Sequence, residues 1–134
     1  MTARTLPPVL IVDDDSDLRD TMRMILEIEG YLVSVASNAT DALTYLRAAS
    51  MDQVVLLDLL IPKANGEGVL DTVQREESLQ RHAYLLLTGY PTAQLPPEEL
   101  LQISELCLRT LKKPFEIDEI LDAISAASAQ LALN

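Results

Sequence analysis

An α/β domain, a parallel sheet with helices packed on its faces, is the fold class this sequence predicts. Three observations predict it. Short apolar runs alternate with longer amphipathic stretches along the chain, the pattern of repeated βαβ units. Hydrophobic residues make up 49% of the 134, yet aromatics only 4%. The interior is therefore aliphatic, as suits strands buried on both faces. Lastly, three apolar runs end in polar residues of related kind: 9–12 in Asp13-Asp14-Asp15, 54–57 in Asp58, and 85–87 in Thr88-Gly89.

The elements follow in order. Residues 9–12 read as the first strand. A helix comes next, capped by Ser16 or Asp17, with Leu18, Met22, Ile25 and Leu26 on one stripe and Gly30 closing it. Residues 31–37 alternate as a second strand. Asn38 or Thr40 then caps a helix through Ala42, Leu43 and Leu46. Residues 54–57 form the third strand, and after a loop ending near Gly66, Val69, Leu70 and Val73 line a third helix. Residues 83–88 are the fourth strand. The connection from Pro91 to Pro97 is broken by proline, and Pro97 suits the first turn of a helix with Glu98 and Glu99 at its positive end. Residues 106–111 give strand five, and Ile117, Ile120, Leu121 and Ile124 mark a final amphipathic helix. Five strands and five helices thus occupy residues 8–128, leaving tails at 1–7 and 129–134 and no linker to a second domain.

Composition excludes several functions. A formal net charge of −11 argues against direct nucleic-acid binding, which needs clustered Lys and Arg. The single cysteine, Cys107, permits no internal disulfide and fits a reducing compartment. The first residues lack the apolar core of a signal peptide, and no run approaches the roughly 18 apolar residues of a membrane span. The expected setting is cytoplasmic, with no membrane partner.

In a parallel sheet the strand ends converge on the edge where open α/β sheets bind ligands. The run Asp13-Asp14-Asp15 either caps the next helix and favours its dipole, which explains Asp15, Ser16 or Asp17, or it holds a divalent cation through Asp13 and Asp14, since adjacent carboxylates repel unless a cation offsets them. Asp58 follows four aliphatic residues. Its carboxylate is either part of a surface turn or a nucleophile able to form an acyl phosphate. Thr88 could simply satisfy strand-end backbone, or donate to a phosphate oxygen for which Gly89 leaves room. Lys113 precedes Pro114, so a fixed turn, with a cis peptide as candidate, would aim its ammonium at the acids. Lys112 reads as a solvated neighbour, His82 as a surface residue in the turn before strand four, and Cys107 as packing.

At these residues the chain resembles the receiver domain of bacterial two-component response regulators. Val-Asp-Asp-Asp at 12–15, Leu-Leu-Asp-Leu-Leu-Ile-Pro at 56–62 with Gly66 downstream, Leu-Thr-Gly at 87–89 and Lys-Lys-Pro-Phe at 112–115 carry the resemblance. It implies a flavodoxin-like doubly wound sheet of strand order 2-1-3-4-5 flanked by five helices. It also implies phosphotransfer to Asp58 from a sensor histidine kinase or phosphotransfer protein. Mg²⁺ would be held by Asp13, Asp14, Asp58 and the backbone carbonyl of Leu60. Lys113 would pair with the phosphate, and Thr88 and Gly89 would bind it and switch. Leu60 and Tyr90, each two residues beyond a site residue, are expected to shield the acyl phosphate and slow its hydrolysis.

The chain departs from that family at three points. Thr110 stands where an aromatic usually rotates with the switch, Leu106-Cys107 replaces a usual Gly-Ala pair, and the stretch from Thr88 to Lys113 is a few residues long. The expected function is a phosphoacceptor receiver, free-standing or excised, catalysing its own phosphorylation and dephosphorylation without being a classical enzyme. Its downstream protein target is unspecified and a homodimer is left open. The alternatives are a phosphorylation-independent interaction module, kept in view by Thr110, and an aspartyl-phosphate hydrolase, disfavoured because position 60 is Leu where a second Asp is wanted.

Overall fold

Burial alternates along each strand between two apolar layers, and this is what sandwiches the sheet. The computed structural model describes residues 6–63, 67–89 and 91–133. Five parallel strands, β1 (Val9–Val12), β2 (Val33–Ala36), β3 (Val54–Asp58), β4 (Ala83–Thr88) and β5 (Cys107–Lys112), lie in the order β2-β1-β3-β4-β5. Leu10, Val12, Val55, Leu57, Tyr84 and Leu86 face one layer, shared with α2 (Ala39–Ala48), α3 (Val69–Arg75) and α4 (Pro97–Leu106). Val9, Ile11, Val54, Leu56, Leu85 and Leu87 face the other, beneath α1 (Ser16–Ile28) and α5 (Ile117–Ala132). Three central strands buried on both sides leave no solvent face, so their ends alone offer room for polar chemistry. Among the described residues, no helix is long and apolar enough to cross a membrane.

Local chemistry sets the boundaries, and several differ from expectation. Of the candidates Asp15, Ser16 and Asp17, Asp15 is the cap of α1: its extended backbone lets one carboxylate oxygen accept the N–H groups of Asp17 and Leu18 at 3.1 and 3.2 Å. Asn38 caps α2, accepting from Asp41 N–H at 2.8 Å. Gly30, at φ +96°, makes the turn out of α1 that a side chain would strain. There Tyr31 N–H closes the helix on Leu26 O at 3.0 Å, so it is not available to a ladder and β2 begins only at Val33. Pro97 is the first residue of α4, as expected.

Strand five also starts later than its apolar run, because Leu106 ends α4. Tyr84 faces Cys107 and Leu85 faces Arg109, so Leu108 is a bulged, exposed residue. The bulge absorbs one residue of the long connection and returns Leu111 to the core. Two 3-10 turns, Glu77–Arg81 and Thr92–Gln94, lie in the connections before and after β4.

The reading of His82 as a surface residue is overturned: it is 4% exposed. Parallel pairing lays the start of β4 beside the start of β3, and Gln53 N–H donates to His82 Nδ1 at 2.9 Å. The proton then belongs on Nε2, which donates to Leu46 O at 3.2 Å.

Candidate functional site

Three strand ends and one proline-bound turn build a charged crevice. Asp13 leaves β1 with its N–H on Ala36 O at 3.1 Å. One of its carboxylate oxygens accepts Asp15 N–H at 2.9 Å, and the other accepts from Lys113 Nζ at 2.9 Å. Asp58 ends β3. Its Oδ1 accepts Leu60 N–H at 3.1 Å, and its Oδ2 lies 3.4 Å from the same ammonium. Lys113 is fixed from behind, where its N–H donates to Thr88 O at 2.7 Å and the Lys113–Pro114 peptide is cis. One carboxylate oxygen from each of Asp13, Asp14 and Asp58 lies within 4.8 Å of the others.

The charges in this crevice do not balance. Three acids face one ammonium, Asp13 has 0% exposure and Asp58 7%. Burial pushes the Asp58 carboxyl up from its ordinary value and the charge of Asp13 adds to this, while Leu60 N–H and Lys113 pull it back. Burial works to lower the Lys113 ammonium, but the bonds and charges of Asp13 and Asp58 outweigh it and hold it above the usual value. Asp14 is exposed, and its carboxylate makes no hydrogen bond or ion pair with another described residue. Clustered hard oxygens, one of them uncommitted, are a donor set that fits a small divalent cation such as Mg²⁺.

The remaining residues surround this cluster. Thr88 is buried at the end of β4. A Cβ built on Gly89 would meet no described heavy atom within 4 Å, so that side of the residue is open. The Leu60 side chain is 54% exposed beside the acids. Thr110, on β5, pairs with Leu86 of β4 and is exposed. Gly66 and Tyr90 lie outside the described residues. Lys112 is exposed, and Cys107 packs against the α2–α4 layer, where burial pushes its thiol up to about 12.

Sequence reasoning passes over Arg19. From α1 its Nη1 reaches back to donate to Asp13 O at 2.9 Å. A cation near the amino end of a helix opposes the helix dipole, and that anomaly was the available signal.

Comparison with known proteins agrees with this geometry. Residues 9–125 match the family model described as response regulator receiver domain. The uncharacterized transcriptional regulatory protein YkoG of Bacillus subtilis is 31% identical over 122 residues, 91% of this chain and 51% of that protein. The transcriptional regulatory protein DltR of Streptococcus agalactiae is 30% identical over 128 residues, 93% of this chain and 53% of DltR. The chain therefore spans about half the length of these curated relatives. A receiver domain protein from Clostridium thermocellum superposes with a TM-score of 0.77 at 26% identity, covering 96% of this chain and 98% of that one. The signal receiver domain of an HD domain-containing protein from Pseudomonas fluorescens Pf-5 gives 0.80 at 23% identity, covering 97% and 100%.

Proposed function

This chain belongs to the response regulator receiver domain family, and on that premise we propose that Asp58 accepts a phosphoryl group from the phosphohistidine of a sensor histidine kinase or phosphotransfer protein. The observation that carries the reading is the shared ammonium: Lys113 reaches Asp13 and Asp58 together, with Asp14 beside them.

The chemistry asks mainly for position and charge. Asp58 Oδ attacks phosphorus in line; the new P–O bond forms as the P–N bond breaks and its electron pair returns to the donor imidazole. Asp13, Asp14, Asp58 and the Leu60 carbonyl are the residues that would hold Mg²⁺. When bound, Mg²⁺ supplies charge neutralisation for the phosphoryl oxygens. Lys113 shifts from Asp58 to a phosphoryl oxygen, while the Thr88 hydroxyl and the open side of Gly89 receive the others. The added charge of about −1.5 to −2 draws Thr88 inward and moves the segment behind it, altering the surface read by a downstream protein. In this reading the domain catalyses its own phosphorylation and its own hydrolysis.

Incubation with acetyl phosphate and Mg²⁺, followed by intact-mass measurement, tests the assignment. Wild type gains one phosphoryl mass and Asp58→Ala gains none; equal gain in both removes Asp58 from the role. Thr110 favours a second reading, an interaction module indifferent to phosphorylation, because it offers no ring to move with Thr88. That reading is the one left standing if wild type gains no mass.

A further inference from the structure

Arg19 is unusual in three respects. It is a cation placed near the positive end of α1, where the helix dipole disfavours it. Its Nε is buried with no hydrogen-bond partner among the described residues, a costly arrangement for a guanidinium. Its Nη1 spends its bond on one backbone atom, Asp13 O, at 2.9 Å.

That carbonyl belongs to the peptide joining Asp13 to Asp14. Other groups pin Asp13 on every remaining side: its N–H on Ala36 O, its carboxylate on Asp15 N–H and Lys113. The Asp14 side chain, by contrast, makes no hydrogen bond or ion pair with another described residue. What directs it is the orientation of the 13–14 peptide plane, and the only side chain bonded to that peptide's carbonyl among the described residues is Arg19.

We propose that Arg19 is a positioning residue for the cation site, setting the 13–14 peptide so that Asp14 points at the ligand position shared with Asp13 and Asp58. The inference rests on the metal-site reading above. It also explains the unsatisfied Nε: the side chain is extended toward the strand end, where one strong donor is useful, and not arranged to satisfy all its own N–H groups. The sign of the effect separates positioning from simple charge. Removing a nearby cation would by itself tighten binding of Mg²⁺. Removing a group that aims a ligand weakens it, by roughly tenfold for outer partners of metal ligands.

The test is Mg²⁺ titration by calorimetry, with the Asp13 carbonyl carbon resonance followed by NMR. Wild type binds Mg²⁺; Arg19→Met binds roughly tenfold more weakly and shifts that resonance. Arg19→Lys keeps a donor and recovers affinity to the extent that it recovers the resonance. In an Asp14→Asn background, Arg19→Met costs nothing further, because the aimed ligand is already gone. A general structural defect would weaken both backgrounds alike.

Unchanged or tighter binding in Arg19→Met overturns the proposal, as does an equal loss with and without Asp14. Should Arg19→Met fail to fold, Arg19→Lys decides: affinity and carbonyl resonance that change independently overturn it. Wild type that binds no Mg²⁺ overturns the metal site itself and this inference with it. Wild type that binds, with variants that follow neither pattern, overturns the role of Arg19 alone.

Discussion

The two ends of the central sheet bury polar groups by opposite means. At the amino ends of β3 and β4, His82 is neutral and doubly bonded, accepting from Gln53 N–H and donating to Leu46 O. Arg81 beside it bonds Asp52 and the carbonyls of Leu46 and Ala49, tying the end of α2 to the sheet. At the carboxyl ends of β1 and β3, two of three clustered acids, Asp13 and Asp58, share one ammonium, with Asp14 beside them. The first end pairs His82 and Arg81 with its own residues, leaving Gln53 Oε1 as a buried oxygen without a partner among the described residues; the second gathers more acid than ammonium. Polar groups are mostly paired at one end, and like charges are held close together at the other.

Removing the Lys113 ammonium from the acid end gives the largest expected effect. Lys113→Met leaves Asp13 buried among like charges, and stability measured by urea unfolding falls by about 3 kcal/mol or more, with phosphoryl incorporation lost. Wild-type stability in this variant would mean that the acid end is solvated much as a surface is, and the contrast would fail.

At the amino end, His82→Leu strands Gln53 N–H and Leu46 O, at a cost of about 2 kcal/mol. This residue also gives the end a pH dependence. Burial lowers the His82 pKa and the Arg81 charge lowers it further, against the opposing Leu46 bond and the Asp52 charge. Between the folded value and the ordinary value near 6.5, the unfolded chain binds more protons than the folded one. His82 therefore contributes stability in full above about pH 6.5, and the contribution is lost as pH falls below it. Unfolding curves at two pH values either side of that point should show a steeper loss for wild type than for His82→Leu. Equal losses would sever the link between this end and pH.

The smallest effect sharpens the contrast by its sign. Without Mg²⁺, Asp14→Asn relieves like-charge repulsion and raises stability, by about 1 kcal/mol at most for a solvated pair at this spacing. With saturating Mg²⁺ the order inverts, because wild type gains the linked binding energy and the variant gains less. Thermal melts with and without Mg²⁺ measure both. A variant less stable than wild type in both conditions would show that Asp14 has a structural partner after all.

Much of this was legible in the chain. Strand four was read at 83–88 and is found there, and Pro97 opens α4 as its fixed φ suggests. The acids stood out because they lie at the ends of aliphatic runs, and Lys113 because a proline follows it. Boundaries were less legible where a side chain or backbone group has a competing use. Among the three cap candidates Asp15 wins because its oxygen reaches two N–H groups, β2 is shortened by the Tyr31 bond that closes α1, and β5 starts late because Leu106 belongs to α4. His82 was misread because its partners, Leu46 and Gln53, lie 36 and 29 residues away. Arg19 was passed over because a helical pattern treats it as a solvated face.

By itself the sequence determined the alternation of elements, the two-sided burial of the central strands and the kinds of residue at each strand end. Those follow from hydrophobic periodicity and capping, which act over a few residues. Only tertiary structure decided that acids 13, 14 and 58 meet within 4.8 Å, with an ammonium from position 113 between two of them. Strand order and register set that meeting. They are settled when the whole sheet closes, because the partners are separated by 55 and 100 residues that no local preference can bridge.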